Sequence, residues 1–572
     1  MATITAHDDS EFRTCPVTAL KVDLKSETLI KANAVVAIVF LAIGGLFALL
    51  LALTRWQAIH LLNPVWFYRI LTAHGLDMLV VWIVFFEVAG LYFGSTVVLN
   101  ARLVFPKVAW GAFALMLVGT LMVNVIVLAG KADVMFTAYV PLKAHPSFYF
   151  GIILFAVGAL VAVFVFFATV VTAKREKAYE GSLPLFTYGL VAAAIIATYA
   201  LISGALAYVP AWLMSMGLME VDPGYYRNLF WGFGHTAQQI NLAAMVAIWY
   251  ALAQITVGAV PVNEKLSRFA FICYLLFINL GSAHHLLTDP AYGFGWKAFN
   301  TSYAMYLAVL GSLIHAFSIP AAVEIAQRRK GYTNGLFEWL RKGPWKEPGF
   351  SALVISMFLF GWIGGVTGVT IGTEQINMTA HNTMRLPGHF HATVVAGTTL
   401  AFMGITYYLI PLIFRRNLRF KKVASWQPYL FGGGMTLVSV GMIAAGLQGV
   451  SRRHWDVTFS QSSFSADVPG TAQLMLGVMG IGAIIAIIGG IMFMLVVLSS
   501  VFLGKQTEPS RLTLLMKQEN PLVEDALPNV GKEAEGKIAP RGTVVIVFAF
   551  LMFFVLYYFS NWWLLGRAWF IS

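Results

Sequence analysis

Leu386-Pro387-Gly388-His389-Phe390-His391 heads an apolar stretch that runs to about Ile413. Successive residues of an α-helix turn by about 100°, so residues two apart point to nearly opposite sides. One helix can therefore hold two flat ligands, one on each face, through His389 and His391. A single imidazole in a membrane helix is ordinarily a hydrogen-bonded core residue. Two of them back to back after Pro-Gly, with more histidines in apolar surroundings elsewhere, point instead to chemistry, because ionisable groups are expensive in lipid.

Those other histidines complete the pattern. His74 follows Leu71-Thr72-Ala73, His235 ends Trp231-Gly232-Phe233-Gly234-His235, and His284 and His285 are adjacent. Imidazole suits iron and copper, and haem iron takes axial His. The simplest partition gives His74 and His391 to a six-coordinate haem and His389 to a second haem. His235, His284 and His285 then remain for a non-haem metal. Adjacent helical residues diverge by about 100°, so His284 and His285 converge only at a distorted helix end, which Gly281 and Pro290 permit. Spacing alone leaves open a transporter with scattered polar-core histidines.

The chain that must position these groups has 572 residues, 59% hydrophobic and 11% charged. Soluble domains carry about 25% charged residues, so the expected fold is an all-α polytopic membrane bundle. Helices satisfy their own backbone hydrogen bonds in lipid. Thirteen apolar stretches approach the roughly 20 residues a crossing needs, the seventh centred near Leu276. Residues 1–28 read as a cytoplasmic tail without a cleavable signal, 29–503 as a twelve-helix catalytic core, 504–541 as a flexible cytoplasmic linker and 542–572 as a thirteenth span.

The net charge of +12 is spread through short loops, where it sets orientation rather than binding nucleic acid. Every second connection is basic, as at Lys174-Arg175, Arg328-Arg329-Lys330 and Arg415-Arg416. That places the N-terminus inside, the C-terminus outside, and all six histidines in the outer half of the membrane. Two cysteines, Cys15 and Cys273, exclude a disulfide framework, an iron–sulfur cluster and a Cys-pair copper centre.

The chain resembles the catalytic subunit of the haem–copper oxidoreductase superfamily, particularly its B-type branch, over essentially all the spans. The matching stretches are Leu71-Thr72-Ala73-His74-Gly75, Trp231 to His235, His284-His285 with Asp289-Pro290, and His381-Asn382-Thr383 leading into Pro387 to His391. Tyr139-Val140-Pro141-Leu142-Lys143 and Arg452-Arg453 also match. The resemblance implies a low-spin haem (b or a type) on His74 and His391 and a high-spin haem (b, a or o type) on His389. It assigns copper B or non-haem iron to His235, His284 and His285. Arg452 and Arg453 would meet haem propionates, with His381 and Asn382 close by. A bacterial or archaeal cytoplasmic membrane is the implied location.

One position departs from the oxidase pattern. Oxygen-reducing members of the branch carry Tyr four residues after the first metal-ligand His, and this chain carries Gln239. An amide forms no useful radical, whereas typical nitric-oxide reductases place Glu there, nearly isosteric with Gln. The expectation from this substitution is reduction of NO to N₂O, with Gln239 at the catalytic site. A terminal oxidase whose phenol comes from another helix is the alternative.

Protons must reach the site through the bundle. Tyr250, Ser312 and His315 resemble positions along the proton path of B-type enzymes, although His315 stands where that path usually has Thr. Asp77 and Glu87 in the second span are each a relay or a satisfied structural acid. No motif for electron entry is present. A second subunit must carry that centre, fed by an external cytochrome or small copper protein.

Overall fold

The computed structural model describes residues 11–568 apart from 16–17, 19, 279–280, 291, 461, 464, 466 and 508–537. The expected all-α membrane bundle is what the chain forms. Phe12–Thr14 and Lys21–Asp23 pair as a short antiparallel hairpin. Asp23 then caps the first helix by accepting from Ser26 N–H at 2.8 Å.

Twelve helices among the described residues are long and apolar enough to cross a membrane. They are α1 Leu24–Arg55, α2 Pro64–Ser95, α3 Pro106–Leu128, α4 Pro146–Arg175, α5 Leu185–Ser215 and α6 Pro223–Val257, then α8 Phe294–Arg329, α9 Pro348–Ile371, α10 Arg385–Phe414, α11 Lys421–Leu447, α12 Gly470–Leu503 and α13 Arg541–Arg567. The seventh expected crossing differs. It is α7, Glu264–Cys273, followed by a π turn at Tyr274–Ile278 and a 3₁₀ segment at Gly281–Leu286. The expected linker lies almost wholly outside the described residues.

Chain neighbours pack in pairs, α1 on α2, α3 on α4, α5 on α6 and α11 on α12, as short connections between antiparallel helices dictate. Small residues allow the closest approaches. At the α11–α12 crossing a Cβ on Gly441 would lie 2.7 Å from the Met475 carbonyl. The outer faces show apolar side chains to the lipid, among them Val125, Leu474 and Phe548.

α13 is fixed at its start by Glu324 of α8, a fully buried carboxylate. It accepts from the N–H groups of Gly542 and Thr543 at 2.9 and 2.6 Å and from Arg328 Nε at 2.7 Å. A carboxylate satisfies the orphan donors of a helix N-terminus and complements its dipole. The result sets Phe550, Leu551 and Phe554 as one wall of an internal cavity.

Candidate functional site

α10 changes form at its histidines. Arg385–Phe390 is α-helical and His391–Thr399 is π-helical. π segments are rare and often mark functional sites. His391 and His74 line a cavity of about 360 Å³ among α1, α2, α10, α11 and α12. His389 lines a second, of about 490 Å³, among α6, α8, α9, α10 and α13. Phe390 lines both, so the two-residue spacing does put the two imidazoles on opposite sides of one helix.

The rings of His74 and His391 lie 6.4 Å apart between centres and 16° from parallel. Two metal–nitrogen bonds of about 2 Å, with about 1 Å from each nitrogen to its ring centre, span that distance. The Nδ1 of His74 meets the Gly44 carbonyl at 3.0 Å, and that of His391 meets the Pro387 carbonyl at 2.7 Å. An Nδ1–H given to a carbonyl fixes the tautomer and leaves Nε2 with the lone pair. Both rings therefore turn Nε2 toward the space between them, where they could hold a metal. His389 is set in the same way: its Nδ1 meets the Gly364 carbonyl at 2.8 Å, at the end of the π turn Leu359–Gly365 in α9. Gly368 makes room for that ring, since a Cβ there would lie 2.5 Å from His389 Cε1.

Across the second cavity stand the other three histidines. His235 from α6 and His284 and His285 from the 3₁₀ segment bring ligand nitrogens within 4.8 Å of one another. The distortion expected for adjacent histidines to converge is this 3₁₀ turn. His235 Nδ1 lies 3.1 Å from His285 Nε2. Trp231 stacks on His285, with ring centres 3.8 Å apart and 7° between planes, and donates its own N–H to Tyr139 at 2.7 Å. Gln239 sits on the far nitrogen of His235, donating from Nε2 to His235 Nε2 at 2.8 Å. Its Oε1 is buried without a partner. A metal on Nδ1 puts the ring proton on Nε2, and the turned amide then offers Oε1 as acceptor.

Arg452 lines both cavities and, with Arg453, a third of about 370 Å³. His381, Asn382, Tyr139, Arg227 and Asp289 also line the third. Asp289 is already held by Arg227 through two bonds of 2.8 Å. Burial, and then the neighbouring Arg453, push the Arg452 guanidinium down to about 9, and burial lowers Arg453 as well. Two desolvated guanidiniums without a carboxylate partner among the described residues suit an anionic ligand reaching them from either of the first two cavities.

The family described as Cytochrome C and Quinol oxidase polypeptide I matches residues 28–485. The chain belongs to the haem–copper oxidase subunit I family. Cytochrome c oxidase subunit 1 of Thermus thermophilus is 31% identical over 458 residues, 77% of each chain. Quinol oxidase subunit 1 of Bacillus subtilis is 23% identical over 67% of this chain and 59% of its own length. A haem–copper terminal oxidase dimer solved by cryo-electron microscopy shares the fold, with a TM-score of 0.80 at 24% identity, covering 93% of this chain and 92% of that one. Membership implies haem and copper or another metal centre, and the oriented imidazoles and unpaired guanidiniums fit such groups.

A hydrogen-bonded series lies toward the opposite end of α6. Tyr250 donates to Ser267 Oγ at 2.9 Å and lies 3.0 Å from His315 Nδ1. Ser267 donates onward to the Asn263 carbonyl at 3.1 Å. Ser312 and His315 line the cavity of the three-histidine cluster. So does Tyr274, whose hydroxyl lies 3.1 Å from Ser312 Oγ. Sequence reasoning missed Tyr274, Ser267 and the stacking role of Trp231. No spacing rule relates Tyr274, at the start of the π turn after α7, to Ser312 on α8. Asp77 and Glu87 lie outside this series, and Asp77 accepts from Asn124 Nδ2 at 2.9 Å.

Proposed function

We propose that this chain is the catalytic subunit of a membrane terminal oxidase that reduces O₂ to water. His74 and His391 would hold a low-spin haem, His389 a high-spin haem, and His235, His284 and His285 a copper or iron ion. Arg452 and Arg453, with His381 and Asn382, would take the propionates. When bound, these groups supply electron transfer and a reducible pair of gas-binding metals. The observation that carries the reading is the single cavity in which His389 faces the three-imidazole cluster, with the Tyr274 phenol on its wall. A phenol there is an O–H donor that Gln239 cannot be. The names of the relatives, cytochrome c oxidase and quinol oxidase, favour the same gas.

The chain's own residues then have defined tasks. The carbonyls of Gly44, Pro387 and Gly364 orient three imidazoles. Gln239 and Trp231 orient His235 and His285. Making water from O₂ consumes four protons, and Asn263, Ser267, Tyr250 and His315 form a hydrogen-bonded series that ends on the cavity wall beside Tyr274 and Ser312. The basic loops put the Asn263 end on the cytoplasmic side, with the N-terminus inside and the C-terminus outside. A reporter after Lys422 should then behave as cytoplasmic. Electrons enter from a partner subunit on the outer face, supplied by a cytochrome, a small copper protein or a quinol.

One observation favours a second reading, NO reduction to N₂O. The position that carries Tyr in oxygen-reducing members of the branch holds an amide bonded to His235. Purified complex offered each gas separates the two. Fast O₂ uptake without N₂O supports the oxidase. N₂O from NO with negligible O₂ uptake reverses it.

A further inference from the structure

Of the two acids in α2, Asp77 has one oxygen bonded by Asn124 and its Oδ2 unpartnered, whereas no hydrogen bond to the Glu87 carboxyl comes from any described side chain around it. Glu87 is 7% exposed, and its Oε1 has no hydrogen-bond partner. It lines a cavity of about 130 Å³ among α2, α4, α5 and α6. Asn241 of α6, 3% exposed, lines the same cavity, and its Nδ2 is also without a partner. The remaining lining is apolar apart from Tyr208, which donates to the Phe136 carbonyl at 3.2 Å. No lining residue is cationic.

A buried acceptor and a buried donor on one cavity need something between them, since buried polar groups are nearly always paired. Water is the smallest ligand that accepts from an amide and bonds a carboxyl group at once. A volume of about 15 Å³ holds one water, and this cavity is several times larger. An unpaired carboxylate in apolar surroundings is costlier than the neutral acid, so the proton belongs on Glu87.

α6 connects this cavity to the redox site. Ala237, Ile240, Asn241 and Ala244 face the Glu87 side, while Gln238, Gln239, Leu242 and Val246 face the three-imidazole cluster. Leu79 lines both cavities. With only apolar packing and one helix between, charge changes at the cluster reach Glu87 poorly screened.

We propose that the Glu87–Asn241 cavity is a water-holding protonatable station, separate from the Tyr250 series. Glu87 is carried there as the neutral acid, joined through ordered water to the Asn241 amide, and its hydrogen bond to that water responds to the redox state across α6. No electron moves in this step. A proton leaving Glu87 breaks its O–H bond and forms one to the cavity water, and the reverse restores it. The proposal rests on the six histidines forming a redox site but not on whether the gas is O₂ or NO, so it fails separately from that choice.

The test is reduced-minus-oxidised infrared difference spectroscopy on the purified holo complex, in H₂O and D₂O. The expected result is a carboxylic-acid carbonyl band, above the amide bands, that moves down in D₂O and is lost in Glu87→Gln. If Glu87→Gln does not assemble, Asn241→Leu serves, and it should shift the band of the native acid. No Glu87-dependent band, a band indifferent to D₂O as a dry cavity requires, or a band unmoved in Asn241→Leu would each overturn the station.

Discussion

The two faces of α10 carry the same side chain and build opposite kinds of site. On one face His391 meets His74 as a nearly parallel pair, each ring tied to a backbone carbonyl. This pair would hold a haem iron from both sides and would leave it no position for a gas. On the other face His389 looks across a larger cavity to three histidines, two of them on a broken helix. Catalytic metal sites keep an open position, and this face has the room for one. The paired site is oriented by backbone, the three-histidine site by side chains, namely Gln239 and Trp231. Backbone carbonyls survive any single substitution, whereas side-chain supports do not.

The largest expected effect breaks the comparison at its centre. His391→Ala or His74→Ala should abolish the six-coordinate low-spin haem spectrum and turnover while high-spin haem remains. A normal low-spin signal in His74→Ala would dissolve the distinction between the faces.

Gln239→Leu should come next. Removing the group that bonds His235 Nε2 should weaken the non-haem metal about 10–100-fold, read as metal retained after dialysis against a chelator. Gln239→Glu keeps an acceptor of nearly the same size and should retain most of the metal. Equal retention in all three proteins would mean that the amide does not orient the ligand.

Tyr250→Phe removes the hydroxyl that joins His315 to Ser267. Turnover should fall and the solvent isotope effect should rise, with both haem spectra unchanged. An unaltered isotope effect would remove this series from proton delivery.

The smallest effect sharpens the contrast within the high-spin side. Gly368→Ala would put a methyl group 2.5 Å from His389 Cε1. Overpacking of this kind costs about 1–3 kcal/mol. The high-spin haem band should shift and thermal stability should fall, while the low-spin band stays in place.

Composition and pattern alone determined the solvent and the architecture. A chain 59% hydrophobic with charge gathered in short loops has helices as its economical way to satisfy its backbone in lipid. The two-residue spacing of His389 and His391 determined two faces, because helical geometry is local. The requirement that His284 and His285 sit on a distorted turn was equally local, and the 3₁₀ segment meets it. That same distortion is why the seventh crossing is not a single long helix.

What tertiary structure decided is every relation between distant helices. Tyr274 beside Ser312, Trp231 flat on His285, Gly364 under His389 and Asn241 on the cavity of Glu87 all depend on where helices cross and how they are rotated. Asp77 and Glu87 read alike in the sequence. Asn124 on α3 bonds one oxygen of Asp77, while Glu87 lines a cavity with its Oε1 unpartnered. Periodicity fixes which side of its own helix a residue occupies, but apolar helices pack through many small contacts of similar strength. Which neighbour that side meets is settled only when the whole bundle closes.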